Sequence, residues 1–177
     1  GAKGTALKDT GSTKESIRAV LKTLGKKDLE ALIWTTVSWN AWINLNLDKP
    51  AALVQLSIPQ ACLERVMEID AAYLHGLPYI LMGVSLAARP QMFGGDIKQS
   101  RYYFDKVLEL SHQKFLLGQY YFARYYAVRA QNKKLFFKLI QEIDDADPRG
   151  LKDVCLINAV MQKKAEELGK MADELFF

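Results

Sequence analysis

Three stretches of this chain are built alike. Glu64-Arg65-Val66-Met67-Glu68-Ile69-Asp70, Asp105-Lys106-Val107-Leu108-Glu109-Leu110-Ser111 and Lys138-Leu139-Ile140-Gln141-Glu142-Ile143-Asp144 align at offsets of 41 and 33 residues. Each carries apolar residues at helical spacing, and each leads to a turn: Asp70-Ala71, Ser111-His112 and Asp147-Pro148. A two-helix unit cannot cover its own apolar face, so such units stack on their neighbours. The second offset is close to the tetratricopeptide period of about 34 residues. The first is longer, and it contains the loop Arg89–Asp96. Strand signals are nearly absent. The predicted fold is therefore all-α: a tetratricopeptide-like helical repeat, an α–α superhelix, with a long C-terminal capping helix.

Local signals place the helices. Ser12-Thr13-Lys14-Glu15 reads as a capping box, followed by Ile17, Val20, Leu21 and Leu24 on one face, with Gly25 as a left-handed stop. Asp28 is positioned to cap a second helix reaching Leu45. Its apolar residues cover a wide arc, which predicts burial on more than one side. Pro50 and Pro59 suit first turns of helices, where a missing N–H costs nothing. A helix begins at His75–Leu77 and runs to Ala88, and Arg89-Pro90 ends it because a residue before proline avoids the α region. Gly94-Gly95-Asp96 forms a turn and cap. Helices over 96–110, 113–130 and 132–145 follow, and a last one runs over 151–175. In domain terms, residues 1–27 form a basic segment with a short helix, in part a possible tag remnant, and 28–177 form one tetratricopeptide-like domain.

The 177 residues carry 24 Lys+Arg against 20 Asp+Glu. Residues 1–28 hold seven basic and three acidic side chains, so the remainder of the chain is neutral overall. A nucleic-acid binder would carry its basic stripe on the folded body, so no nucleic-acid partner is expected. Lys14, Arg18 and Lys22 form a basic stripe opposite Ile17 and Leu21, which fits packing on the next helix better than a membrane surface. No apolar run is long enough to span a bilayer. The two cysteines, Cys62 and Cys155, lie in no CxxC motif, and His75 and His112 have no partner at metal-ligand spacing, so neither metal nor cofactor is expected. There is no GxSxG, P-loop or GxGxxG sequence. Adjacent carboxylates such as Asp144-Asp145 diverge on a helix and make no acid–base pair. No catalytic residue is assigned, and the chain reads as a non-enzyme.

Polar residues interrupt the apolar faces. Asn40 and Asn44 lie beside Trp39 and Trp42, Arg124 lies within a run of aromatics, and Asn158 and Gln162 are an i,i+4 pair. Of the 19 aromatic residues, 11 fall between Tyr102 and Phe137. A buried Arg or Asn must be paired. Two readings stand: hydrogen bonds within the packed interior, or the lining of a polar groove or pore that also satisfies the tyrosine hydroxyls.

A set of motifs is more specific. Arg89-Pro90-Gln91-Met92-Phe93-Gly94-Gly95-Asp96 precedes Tyr103-Phe104 and Leu108-Glu109-Leu110-Ser111. A second block is Tyr121-Phe122-Ala123-Arg124-Tyr125-Tyr126-Ala127-Val128, followed by Phe136 and Asp145-Ala146-Asp147-Pro148. A third runs from Leu156 to Ala165. Upstream stand Trp34, Trp39, Trp42-Ile43-Asn44, Asp48 and Pro50. Over about residues 28–177 the chain resembles the TRAP-transporter-associated tetratricopeptide-like T components, the TatT family. It departs at Asn40, where members often carry Gly, and members usually begin further upstream with a lipoprotein signal.

The resemblance implies a periplasmic scaffold, lipid-anchored through an N-terminal region upstream of this chain. It implies binding to the solute-binding P component of a TRAP transporter, a homo-trimeric assembly, and passage of a small hydrophobic ligand through an inter-helical pore. The alternative is a soluble carrier with a hydrophobic ligand held between repeats. A peptide-binding adaptor would instead line its groove with Lys and Arg. The residues expected to line the pore or groove, or to meet the partner, are Trp39, Asn40, Trp42, Asn44, Tyr79, Arg89, Tyr121, Arg124, Tyr125, Asn158 and Gln162.

Overall fold

A computed structural model describes residues 14–46 and 48–177, with side chains described from Ser16 onward. The predicted box at Ser12 lies outside the described residues. Every regular element among those described is helical, so the chain is all-α. No helix among them is long and apolar enough to cross a membrane. The chain divides between Ala71 and Ala72 into two compact units, at the turn that closes the first of the three aligned stretches.

The first unit contains α1 (Lys14–Lys22), α2 (Leu29–Asn44), the short α3 (Pro50–Leu53) and α4 (Ser57–Asp70). Both α1 and α2 pack on α4. Ile17, Leu21 and Leu24 recur at i, i+4 and i+7, and all three are buried. The Arg65 guanidinium on α4 donates to the Leu24 carbonyl at 2.6 Å, occupying a carbonyl that follows the last turn of α1. Gly25 is not the left-handed stop its sequence position implied. Its φ is −131°, and the Asp28 carboxylate accepts its N–H at 3.0 Å, closing a 3-10 turn over Lys26–Asp28. Asp28 is thereby engaged with the preceding turn and makes no side-chain cap to α2.

The wide apolar arc of α2 also differs from expectation. Leu29, Leu32, Ile33, Thr36 and Ile43 form one buried face, while Trp34 and Trp42 remain exposed. Thr36 is accommodated in that face because its hydroxyl donates to the Leu32 carbonyl at 2.8 Å. Cys62 is fully buried on α4, and burial pushes its thiol up to about 11 against a smaller lowering effect of Thr36.

The second unit contains α5 (Tyr73–Ala88), α6 (Ile97–Leu110), α7 (Leu116–Tyr121), a π-helical turn (Phe122–Ala127), α8 (Lys133–Asp145), α9 (Cys155–Lys170) and α10 (Ala172–Leu175). The start of α5 is a left-handed turn, with φ of 45°, 55° and 90° at Leu74, His75 and Gly76. Regular helix begins at Leu77, so Pro78 sits in the first turn as expected. His75 reaches across to Asp153, Nε2 to Oδ2 at 2.7 Å, and holds that carboxyl below its usual range.

Arg89 leaves the helix with ψ 142°, as expected before Pro90. In the following loop Gly94 has φ 83°, and a Cβ at Gly95 would collide with the Arg89 carbonyl, so both glycines are required by the backbone path. Asp96 then caps α6, accepting from Lys98 N and Gln99 N at 2.9 and 3.0 Å.

One core joins α5 through α10. Phe104 of α6 stacks on Phe122 at 4.9 Å, and Phe115, Leu116, Phe136, Leu139 and Ile143 are buried with them. The aligned stretches each form the end of a helix, α4, α6 or α8, and their third position (Val66, Val107, Ile140) is buried in all three. The predicted final helix over 151–175 is broken into a 3-10 turn, α9 and α10, with the last break at Met171.

Two outcomes test this packing. A thiol reagent at pH 8 adds to exposed Cys155 at once and to Cys62 only on unfolding, which intact-protein mass spectrometry reads as one adduct. Asn158→Ala removes a buried amide that bonds three backbone groups and lowers stability by about 2–4 kcal/mol in denaturant titration.

Candidate functional site

Two surfaces carry the candidate residues, and each belongs to one unit. The first is the outer face of α2. At about 100° per residue, positions 31, 34, 35, 38, 41, 42 and 45 fall in one stripe. They are Ala31, Trp34, Thr35, Ser38, Ala41, Trp42 and Leu45, all exposed and none charged. Trp34 is 53% exposed, Trp42 43% and Leu45 83%. Burying an indole is among the most favourable steps available to an interface, and surface tryptophans in an uncharged patch mark interaction sites. Trp39 is turned partly inward and donates its indole N–H to Gln55 Oε1 at 2.9 Å. Asn40 is half-buried and Asn44 exposed. Of the four candidates on this helix, Trp42 and Asn44 are therefore the outward pair. Trp34 was absent from the candidate residues because an apolar position on an apolar helix reads as core.

The second surface is built by α7 and the π turn. A π turn closes with i→i+5 bonds and is wider than an α turn, and such turns recur at functional sites. Tyr120 and Arg124 are close, with Arg124 Nη1 donating to Tyr120 Oη at 3.3 Å. The Arg124 guanidinium carbon lies 5.9 Å from the Tyr125 ring centroid. The Tyr121 ring is 5.6 Å from both the Tyr120 and Tyr125 rings. Burial raises the Tyr121 phenol above its ordinary value; Tyr125 and Tyr120 add to this, and Arg124 opposes it. Burial acts against the Arg124 charge, but Tyr120 and Tyr125 more than offset it and raise its pKa. The structure thus brings Tyr121, Arg124 and Tyr125 together and adds Tyr120. Arg124 is exposed, contrary to its position within a run of aromatics, because the long side chain lies over those rings and ends in solvent.

The other candidates are placed differently. Tyr79 is half-buried and stacks on Tyr103 at 6.1 Å. Arg89 is half-buried in the loop after α5, where burial presses its pKa down. Asn158 is wholly buried. Its Oδ1 accepts from Leu116 N at 3.0 Å, and its Nδ2 donates to the Lys114 and Pro148 carbonyls at 2.9 and 3.2 Å. Gln162 Nε2 donates to the Ile143 and Ala146 carbonyls at 3.1 and 2.8 Å. The amide hydrogens of both residues are engaged by backbone carbonyls of their own unit, which is the first of the two readings open for them.

Two hollows lie elsewhere. One of about 260 Å³ runs between α1 and α4 and is lined mainly by charged side chains, among them Arg18, Glu64 and Arg65. The other, about 410 Å³, lies beside Val128, Gln131 and Phe177. The loop after α5 adds a further apolar surface, with Met92 82% and Phe93 44% exposed.

Comparison with known proteins gives one positive result. A family model described as "TRAP transporter T-component" matches residues 2–176. The match is longer than the resemblance drawn from the motifs and takes in the basic N-terminal segment. No curated protein matches the chain.

Proposed function

Because that match spans nearly the whole sequence, the chain belongs to the TRAP transporter T-component family, and we propose that it is a non-catalytic periplasmic scaffold that docks the transporter's solute-binding P component on the outer face of α2. Membership associates the chain with a TRAP transporter. The choice of partner and surface is our reading. The observation that carries it is the uncharged stripe from Ala31 to Leu45 with its two exposed tryptophans. A solvent-facing stripe of this kind gains most when a partner removes it from water.

Helices adjacent in sequence pack on one another, α5 on α6 and α8 on α9, in line with a tetratricopeptide-like superhelix of stacked helical pairs. Lipid anchoring of the chain in the envelope is proposed, on the strength of the resemblance. Ligand handling rests on the tyrosine–arginine cluster of the second unit, where exposed Arg124 lies beside the half-buried Tyr121 and Tyr125 and the buried Tyr120. This part favours passage or holding of a small ligand over a purely mechanical role.

The test is sedimentation of this chain with the P component of its transporter. The wild type forms a defined complex. The Trp34→Ser/Trp42→Ser double variant keeps its helical circular dichroism, since both residues are exposed, and loses affinity by about tenfold or more. Unchanged affinity in the double variant, or no complex with the wild type, overturns the assignment.

A further inference from the structure

The whole of the chain's formal charge of +4 lies within residues 1–28. The structure fixes where part of it is displayed. Ile17, Leu21 and Leu24 are buried and α1 packs on α4, so the apolar face of α1 is already covered. Its outward side and the 3-10 turn that follows carry Arg18, Lys22, Lys26 and Lys27, all exposed. Lys22 lines the hollow of about 260 Å³ between α1 and α4. The two carboxylates of that hollow are taken, Glu64 by Arg18 at 3.2 Å and Glu68 by Arg65 at 2.8 Å. Among the described residues no carboxylate pairs with Lys22, Lys26 or Lys27. Of the two acids in residues 16–30, Asp28 accepts the Gly25 N–H, and Glu30 belongs to the first turn of α2. The same stretch contains no aromatic residue.

We infer that this surface, the outer side of α1 with the turn Lys26–Asp28, rests on the anionic headgroups of a phospholipid bilayer. Family membership associates the chain with a transporter, and a transporter lies in a membrane. Contact with a headgroup layer is made through charge alone, each lysine near the surface adding a similar increment. Other anionic partners ask for more. Single-stranded nucleic acid is held by stacking on aromatic side chains as well as by charge, and this surface has none. A protein partner is held mainly by a large side chain that it buries, and Ile17 and Leu21 are already buried by the fold itself. The contact is peripheral, with the lysine heads at the phosphates and α1 remaining packed on α4. It goes beyond the docking of the P component and does not depend on it.

Co-sedimentation of the full chain with phospholipid vesicles tests this. The chain pellets with vesicles of mixed phosphatidylcholine and phosphatidylglycerol and stays in solution with phosphatidylcholine alone. Added salt weakens the binding, because exposed charges are screened. Lys26→Gln lowers the partition constant about fivefold, and Lys22→Gln/Lys26→Gln/Lys27→Gln lowers it about a hundredfold. Lys133→Gln/Lys134→Gln/Lys138→Gln removes the same charge from α8 and loses about fivefold or less, since that face is not at the headgroups. Both triple variants keep their helical circular dichroism, because all six side chains are exposed. Equal partition to the two kinds of vesicle, no partition to either, or equal loss in the two triple variants overturns the inference. Tighter binding to oligothymidylate than to the anionic vesicles also overturns it, and would assign the surface to nucleic acid. The vesicles carry no P component, so a failure here leaves docking on α2 standing, and a failure of docking leaves this contact standing.

Discussion

The second unit depends on one buried side chain. Asn158 places a primary amide with no solvent exposure where two segments meet α9. It takes the Leu116 N–H and gives its own hydrogens to the Lys114 and Pro148 carbonyls. These backbone groups belong to a chain that has just passed through a left-handed turn, with φ of 49° at His112 and 60° at Gln113, and to the 3-10 turn Pro148–Gly150 that follows α8. Outside regular ladders they have few other partners, and leaving them unpaired in the interior would cost more than an ordinary hydrogen bond contributes. Gln162, one turn further along α9, does the same for the end of α8. The start of α7 at Leu116 is thereby set, and with it the positions of Tyr120 and Tyr121 on that helix and of Arg124 in the widened turn that follows.

Where local chemistry decides a conformation, the residues announced it. The Asp96 cap and the Arg89-Pro90 stop both stand as read, because each is settled by one residue's own geometry. The glycine pair at 94–95 is also explained by backbone demands alone. Gly25 was misread because glycine tolerates extended backbone as readily as left-handed backbone, and the Asp28 carboxylate selected the former. The π turn and the left-handed turn at His112–Gln113 contain no glycine or proline to mark them, and Gly76 marks only the last residue of the turn at Leu74–Gly76.

The candidate surfaces were legible only in part, and for a single reason. Hydrophobic patterning says which residues leave water when they can, not whether the fold provides a place for each. Trp34 and Trp42 are as apolar as Ile33 and Ile43, yet the fold buries only the isoleucines. Arg124 reads as interior from its neighbours, and its length lets the charge escape over their rings. Asn158 and Gln162 have the polar-on-apolar pattern of a lined groove, and the same pattern describes residues that close turns. The outcome for the two kinds of residue is opposite: exposed apolar groups free to meet a partner, and buried polar groups engaged with the protein itself.

In the proposed complex the outer face of α2 receives the P component. Hydrogen–deuterium exchange of the chain with and without that protein reads it directly. Slowed exchange is expected in the complex along peptides covering residues 31–45, with the buried segment around Leu116 and Asn158 unchanged. Protection confined to other segments, with 31–45 exchanging at the same rate in both states, would contradict it.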